Sequence, residues 1–419
     1  MRNTNRSVIS LQAGCWFKLI GGASYQHLPS IRNLALVYTL AGADCIDVAA
    51  DPAVVSAVKE AFQVISWLRQ LPQLTHRYLG ELPIERPLLM VSFSDGDDPH
   101  FRKAQFDPAL CPADCTRPCE RICPAAAIAF PPVAAGVITD RCYGCGRCLP
   151  VCPIQNINTV TRATSVETIA AALLEQVDAI EIHTQVGRYE PFMALWSRLR
   201  PYLSHLAVIS ISCPDHDDAV EYLWQLYEGI RPHWSKPLIW QTDGRPMSGD
   251  IGKGTTHATL RFAAKVLRSG PPGYVQLAGG TNDHTVAKLS ELVDAQPPSF
   301  PAEVWGLASN REASRPRLGG VAFGSFARRL MSSGVAEPSL EPLFASAVQT
   351  HERLPHYDQT SLTSSIAHLA HAVALAHNLI TPLKRNSPTA AGVPSSTAGD
   401  GPCPTAVSPE SPVYLSTFE

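Results

Sequence analysis

The chain lacks a strong charge of either sign. Its 419 residues carry 34 lysines and arginines against 37 aspartates and glutamates, a formal net charge of -3 at pH 7. Proteins that bind nucleic acid usually present a basic surface, and proteins that bind anionic membranes usually carry a polybasic segment. The charge balance therefore argues against both kinds of partner.

Long apolar runs are also absent. No uninterrupted apolar segment approaches the roughly 20 residues that a membrane-spanning helix needs. Residues 1–13 contain arginines but no apolar stretch of the kind found in a signal peptide. We therefore expect no membrane span and no secretory leader, and we expect the protein to remain in a reducing cytoplasm.

Cysteine is concentrated in one part of the chain. Eight of the twelve cysteines form two quartets, Cys111, Cys115, Cys119 and Cys123, then Cys142, Cys145, Cys148 and Cys152. Each quartet ends in Cys-Pro. The second quartet has the C-x₂-C-x₂-C-x₃-C-P spacing of ferredoxins that hold two clusters, in which the fourth cysteine binds the other cluster. This spacing predicts an iron–sulfur module.

The first quartet departs from that spacing, because three residues separate each of its cysteines from the next. Crossed ligation predicts two sets, a [4Fe–4S] cluster on Cys142, Cys145, Cys148 and Cys123, and a second cluster on Cys111, Cys115, Cys119 and Cys152. A looser loop could leave one iron without a cysteine, so the second cluster is either [4Fe–4S] or [3Fe–4S]. Disulfides and structural zinc are the alternatives, but disulfides suit small secreted domains and zinc needs only four ligands.

Short β-rich apolar segments alternate with helical patterns along most of the chain, which is typical of parallel βα units. Eight candidate strands lie at residues 16–20, 45–48, 88–93, 179–182, 207–211, 237–240, 274–277 and 320–323. Eight such units predict an α/β fold, a (β/α)₈ TIM-barrel-like domain. An open doubly wound sheet is the structural alternative.

The cysteine-rich stretch follows the third candidate strand, so we expect a ferredoxin-like two-cluster insertion to interrupt the barrel. The predicted parts are 14–99 and 162–335 for the barrel, 100–161 for the insertion, 336–385 for C-terminal helices and 386–419 for a disordered tail. An insertion after a strand lies at the C-terminal face of a barrel, where ligand sites also lie. The clusters should therefore lie near the barrel mouth.

Glycine-rich segments follow the seventh and eighth candidate strands. In barrels these two loops commonly bind phosphate, because freed backbone N–H groups and the positive end of a short helix favour an anion. The candidate cofactor-binding residues are Gly279, Gly280, Thr281, Asn282, Gly324, Ser325 and Arg328. They would bind a phosphate or a flavin phosphate, unless the glycines only form tight βα turns.

A long polar loop, residues 242–255, follows the sixth candidate strand. Its charged and hydroxyl side chains are Asp243, Arg245, Ser248, Asp250 and Lys253. The loop is either a lid that binds an anionic ligand or a solvated surface loop.

Polar side chains end the fourth and fifth candidate strands and should face the barrel mouth. They are His183 and Thr184, then Ser212 and Cys213. We interpret His183 as a satisfied polar residue in preference to a catalyst. Acidic residues follow Cys213 in the sequence and should raise the pKa of its thiol, which disfavours reactivity.

The cysteine quartets, combined with segments 40–44, 240–250, 276–282 and 320–328, resemble the cyanobacterial light-dependent period protein family, LdpA. The matching segments span most of residues 14 to 332. The resemblance implies an iron–sulfur protein that reports the redox state set by photosynthetic electron flow to the circadian clock, in association with clock-linked proteins.

Three functions compete. The sequence favours a non-catalytic redox sensor, in which cluster oxidation state changes a surface offered to clock-associated proteins. The second is a flavin-dependent oxidoreductase whose clusters relay electrons to FMN in the barrel mouth. The lack of a lysine at the C-terminal end of any candidate strand, where such flavin enzymes often have one, argues against it. The third is a simple electron carrier, which would leave the barrel unexplained. A quinone or another small redox ligand remains a candidate occupant of the mouth.

Overall fold

The computed structural model describes residues 5–96, 102–123, 125–130, 136–142, 144–161, 166–245, 252, 254–289, 315–332, 340–348 and 359–385. The predicted disordered tail lies outside these ranges. So does half of the predicted lid, including Ser248, Asp250 and Lys253.

Eight parallel strands close into a barrel in the order β1-β12-β11-β10-β9-β8-β3-β2. Their bounds are β1 Trp16–Gly22, β2 Cys45–Ala49, β3 Leu88–Ser94, β8 Ala179–His183, β9 Val208–Pro214, β10 Leu238–Asp243, β11 Gly273–Ala278 and β12 Pro316–Phe323. Each strand corresponds to one candidate strand from the sequence. The (β/α)₈ prediction is confirmed, and the open-sheet alternative is wrong because β1 pairs with β12.

Helices surround the barrel. Before the insertion they are α1 Arg6–Gln12, α2 Leu28–Leu40, α3 Pro52–Leu68 and α4 Pro72–Leu79. After it they are α6 Val166–Leu173, α7 Tyr189–Leu199, α8 Ala219–Ile230, α9 Thr255–Ser269, α10 Ser325–Ser332, α11 Glu341–Val348 and α12 Gln359–Arg385. Short 3₁₀ turns lie at Leu174–Gln176, Arg200–Tyr202 and Val286–Lys288.

Helix α3 shows why these segments are helical. Asp51 precedes it and accepts hydrogen bonds from the N–H groups of Ala53 and Val54, at 2.8 and 3.3 Å, while Pro52 occupies the first helical turn. Its buried apolar residues recur every three or four positions along the helix. That stripe packs on the barrel, so one face of the helix lies in the core.

The insertion lies between β3 and β8. It contains β4 Arg102–Gln105, a 3₁₀ turn Pro108–Leu110, α5 Pro118–Ile122, β5 Ile128–Ala129, β6 Gly136–Val137 and β7 Asn158–Thr161. Because β4 pairs antiparallel with β7, the insertion leaves the barrel and returns to it at neighbouring points. It has a small core of its own in which cysteines and apolar side chains pack together.

Helix α12 is the one helix in the described ranges that is long and apolar enough, by length and composition, to span a membrane. It packs against α2, α4, α10, α11 and β1. Part of its apolar surface, including Ile366, Leu369 and Ile380, is buried in the main hydrophobic core between helices and barrel. A helix that packs on a barrel passes the same compositional test, so this finding is weak support for a span.

Candidate metal centre

One pocket of the insertion gathers four cysteines from both quartets. Cys123 of the first quartet and Cys142, Cys145 and Cys148 of the second line it. The rest of its wall is largely apolar, from Ala104, Ala125, Ala127, Ile128 and Val137, with Arg147 at one side. The four cysteines are the same four that crossed ligation assigns to the first [4Fe–4S] cluster.

Glycines shape the loop that carries three of these cysteines. Gly144 and Gly146 have φ values of 73° and 70°, in the left-handed region that glycine adopts without a steric penalty. One glycine precedes Cys145 and the other follows it, so the chain turns sharply on both sides of this residue. This alternation allows a short C-x₂-C-x₂-C segment to direct three thiols into one pocket.

Each Cys-Pro sequence is followed by a turn of the same kind. Ala126 and Gln155, each three residues after the last cysteine of a quartet, have positive φ values of 45° and 53°. The next residue then donates its N–H to that cysteine's Sγ, Ala127 to Cys123 at 3.2 Å and Asn156 to Cys152 at 3.3 Å.

All non-glycine residues with positive φ in the described ranges, these two and Arg117, lie in the insertion. Such strain, of order 1 kcal/mol or more per residue, persists where the surroundings impose it, and it concentrates at functional sites. Hydrogen bonds to ligating sulfurs are one means by which proteins set the potential of iron–sulfur clusters.

A second group of cysteines lies apart from the pocket. Burial raises the pKa of the Cys119 thiol, and the nearby Cys152 and Cys115 raise it further. Cys111 packs into the same small core, among its partly buried members. These four are the predicted ligands of the second cluster. The assignment of either set to a cluster stays a prediction.

The pocket thiols also influence one another's pKa. Burial raises the pKa of Cys148 to about 12, and Cys145, Cys142 and Cys123 contribute to the shift. Burial also raises the pKa of Cys145, with contributions from Cys123 and Cys142. Thiolates so close together repel one another, so a cationic iron centre would stabilise the deprotonated forms that bind metal.

The cysteine geometry fits a cluster better than a single ion. Across the described ranges, no three His, Cys, Asp or Glu side chains meet closely enough to hold one metal ion. A cubane makes a different demand, because each of its irons takes its own cysteine and the sulfurs stand further apart than around zinc. The pocket therefore favours iron–sulfur ligation over the zinc alternative.

The predicted phosphate residues after β11 make contacts within the chain. A Cβ added to Gly279 would lie 2.6 Å from the Arg245 carbonyl oxygen, and one added to Gly280 would lie 3.1 Å from the Thr255 carbonyl oxygen. Thr281 donates to the Ala322 carbonyl at 2.8 Å, and Asn282 accepts from Thr256 at 3.0 Å. Both glycines have positive φ, as the tight-turn interpretation requires.

The segment after β12 is more open. A Cβ on Gly324 would meet only ordinary contacts, 3.5 Å from Arg328 Nη1 and 3.6 Å from Ile20 Cβ. Arg328 donates to the Ile20 carbonyl at 2.8 Å and to Ser325 Oγ at 2.9 Å. Its guanidinium therefore joins the end of β1 to the start of α10. Phosphate binding by the two segments stays a prediction.

The two glycine segments predict different responses to substitution. Gly324→Ala should leave the free energy of unfolding within about 0.5 kcal/mol of wild type, because its site has room and needs no positive φ. Gly280→Ala should destabilise by about 1 kcal/mol or more, because its φ is 96° and its neighbours are close. Urea unfolding measures both.

Titration of the Gly324→Ala and Gly324→Val variants with FMN and inorganic phosphate then tests the cradle. If the cradle exists, the wild type should bind and Gly324→Val should not. Equal binding by wild type and Gly324→Val, or no binding at all, would make the mouth a scaffold only.

The barrel interior holds a buried ionic cluster that sequence reasoning missed. Lys18 is fully buried, and its ammonium forms an ion pair with Glu181 and lies 3.5 Å from Asp47 Oδ2. Burial would lower the pKa of Lys18, but the two carboxylates raise it, so the lysine stays charged. Burial would raise the pKa of Glu181, but Lys18 and His183 hold it well below its usual value.

Hydrogen bonds extend this cluster across the barrel. Burial raises the pKa of Asp47 to about 6. Its Oδ1 accepts from Ser92 at 2.8 Å. Glu181 accepts hydrogen bonds from Ser210 at 2.7 Å and from Gln241 at 3.0 Å. Gln241 in turn accepts from Gln276 at 2.6 Å, and Gln276 accepts from the Trp16 indole at 2.7 Å. The signal in the sequence was polar residues at alternate positions of β3, β8, β9 and β10, together with the single charged residues of β1 and β2.

The two halves of the interior differ in polarity. Toward the N-terminal ends of the strands the inward side chains are apolar, and with Leu11 of α1 they form a separate cluster, Trp16, Cys45, Leu88, Met90, Ala179, Val208 and Ile239. Toward the C-terminal ends they are polar. The polar half faces the mouth, the end of a barrel at which ligands bind.

The polar residues that end β8 and β9 lie at the mouth, as predicted. His183 Nε2 lies 3.2 Å from Glu181 Oε1, and Thr184 Oγ1 bonds Asp95 and the Tyr222 hydroxyl, each at 2.6 Å. Ser212 donates to Asp243. Burial raises the pKa of Cys213, with Asp243, Asp95 and Asp215 adding to it; the direction matches the prediction, but burial is the larger cause.

Comparison with known proteins agrees with this site. Residues 111–163 match the LdpA Fe-S cluster-binding domain, and residues 172–382 match the Light dependent period A C-terminal domain. The "Light dependent period A" protein of Synechococcus elongatus is 50% identical over 363 residues, which cover 85% of this chain and 91% of that protein. The chain therefore belongs to the LdpA family and carries its iron–sulfur cluster-binding domain.

Proposed function

We propose that this protein is a cytoplasmic redox sensor. Its iron–sulfur clusters change oxidation state with electron-transport activity, and the change alters a surface that clock-associated proteins bind. The observation that carries the proposal is the pocket of four cysteines, of which Cys145 packs against the main hydrophobic core, in a chain of the LdpA family. A simple electron carrier would need the insertion but not the barrel.

Two clusters are the proposed cofactors. The first is a [4Fe–4S] cluster bound by Cys142, Cys145, Cys148 and Cys123, and the second is a [4Fe–4S] or [3Fe–4S] cluster bound by Cys111, Cys115, Cys119 and Cys152. One electron added to a cluster in a partly apolar pocket changes the local charge by one unit, where screening by water is weak. Loops that carry the ligands then have a different preferred position in each state.

Redox-dependent binding tests the sensor. Purified clock-associated proteins from the same cells are titrated against the oxidised protein and against the dithionite-reduced protein, under anaerobic conditions. We expect the dissociation constant of at least one partner to differ fivefold or more between the two states, the lower end of typical coupling between two sites.

The Cys145→Ser/Cys148→Ser variant is the control for that titration. Its binding should differ less between oxidant and reductant than that of the wild type, because the pocket cluster is absent while the second cluster remains. Partner binding that is identical in both states for the wild type would refute the sensor.

A flavin-dependent oxidoreductase is the second candidate. The polar and charged upper half of the barrel interior favours it, since a purely structural barrel fills this space with branched apolar side chains. Protein purified with a flavin would show a structured visible absorption above the broad cluster band, and release of FMN on acid denaturation would identify it.

A further inference from the structure

A buried lysine joins the barrel to the loop that carries Cys142, Cys145 and Cys148, which we call the cysteine loop. Lys103, on β4, is 3% exposed. Its ammonium donates to the carbonyl oxygen of Cys142 at 2.5 Å and to the carbonyl oxygen of Ser24. Cys142 is a pocket cysteine, and Ser24 lies in the loop between β1 and α2. The charge of Lys103 is thus located between the candidate cluster ligand and the barrel mouth.

The backbone beside Lys103 contacts the same cysteine. Ala104 donates its N–H to Cys142 Sγ at 3.4 Å, and Ala104 also lines the pocket. Strand β4 therefore binds Cys142 through both its sulfur and its carbonyl. A buried ammonium at this position acts through a medium of low dielectric, where a unit charge has a larger effect than at the surface.

The loop between β1 and α2, residues 23–27, makes a second contact with the insertion. The Gln26 N–H donates to the Asp140 carbonyl at 2.9 Å. The Gln26 side chain donates to Asp51 Oδ2 at 2.7 Å, and Asp51 is the N-terminal cap of α3. We call residues 23–27 the relay loop. Through Gln26 it is bound both to Asp140, two residues before Cys142, and to the first turn of a barrel helix.

We infer that Lys103 is a positioning residue that couples the oxidation state of the pocket cluster to the relay loop. The inference rests on the proposed iron–sulfur function. A one-electron donor adds one negative charge to the cluster, and no bond is made or broken in the protein. The ammonium stabilises the more negative, reduced state, so it raises the reduction potential.

The same interaction has a structural consequence. In the reduced state Lys103 is attracted more strongly to the cysteine loop, and its bond to the Ser24 carbonyl weakens. The relay loop and the first turn of α3 loosen as a result. The barrel surface near the mouth, next to Gln26 and Asp51, is then the surface that differs between the two oxidation states.

A redox titration followed by electron paramagnetic resonance tests the electrostatic part. In Lys103→Met, which keeps the apolar stem and removes the charge, the ratio of reduced to oxidised pocket cluster at a fixed potential should fall at least tenfold. For a one-electron couple this equals about 59 mV. Lys103→Arg keeps the charge and should stay within about threefold of wild type.

Lys236→Met is the matched control. The Lys236 ammonium also donates to two backbone carbonyls, those of Ser204 and Leu206 at 2.6 and 2.7 Å, but it lies just before β10, at the opposite end of the barrel. Its replacement should leave the titration unchanged. An equal shift in both variants would show a general effect of losing a lysine and would overturn the inference.

Hydrogen exchange tests the structural part on the wild-type protein, so it does not depend on a variant that folds. Reduction should speed amide exchange at residues 24–26 and 53–55 severalfold, and this change should be missing in Lys103→Met. Unchanged exchange on reduction of a cluster-loaded wild type would overturn the coupling. If the purified protein holds no clusters, the proposed function is refuted. If partner binding depends on oxidation state but Lys103→Met leaves the reduction potential of the pocket cluster unchanged, only this inference is refuted.

Discussion

Replacing Cys145 by serine should reduce the iron content from about seven or eight to about three or four atoms per chain, since the pocket [4Fe–4S] cluster loses a ligand. Cys145 lines the pocket together with Cys123, Cys142 and Cys148. The cluster on the second set should survive, because Cys119 has Cys115 and Cys152 as its neighbours and not Cys145. Iron analysis and electron paramagnetic resonance on anaerobically purified protein measure the change.

Two further variants test whether the loss of iron follows from the crossed ligand assignment. Cys123→Ser should remove the same signal as Cys145→Ser, although the two residues belong to different quartets in the sequence. Cys213→Ser, in the buried part of β9, should leave the iron content unchanged. Loss of a different signal in Cys123→Ser would show that each quartet holds its own cluster, and the crossed assignment would be wrong.

Replacing Lys18 by methionine should destabilise the barrel by about 3 to 5 kcal/mol, because it leaves two buried carboxylates without their shared cation. Glu181 is fully buried and Asp47 is 2% exposed, so neither can move its charge into water. The free energy of unfolding from urea titration, extrapolated linearly to zero denaturant, measures the loss.

A second substitution should recover part of that loss. Glu181→Gln removes the charge that Lys18 neutralises, so Lys18→Met/Glu181→Gln should be more stable than Lys18→Met alone. Lys59→Met, on the outer face of α3, is the control and should cost less than about 1 kcal/mol. If Lys18→Met has the same free energy of unfolding as the wild type, the ion pair contributes no net stability, and the buried charges need another explanation.

The sequence determined the strand count, the order of elements and the cysteine chemistry. Strand segments such as 45–48 and 179–182 are short and apolar, and their regular alternation with helical patterns sufficed to predict a barrel. The spacing from Cys142 to Cys152 indicated a cluster because thiolates at these intervals match a cubane and little else. These properties are local, so a single sequence contains them.

Only the tertiary structure decided which distant residues meet. Lys18, Asp47 and Glu181 lie on β1, β2 and β8, and only the curvature of the sheet into a barrel directs their three side chains to one point. Lys103 reaches Ser24 because the insertion folds back over the loop after β1. The glycines at 279 and 280 looked the same in sequence as an open phosphate loop, yet the backbone packed against them is close. Each case depends on contacts between segments separated by tens of residues or more, which local spacing does not specify.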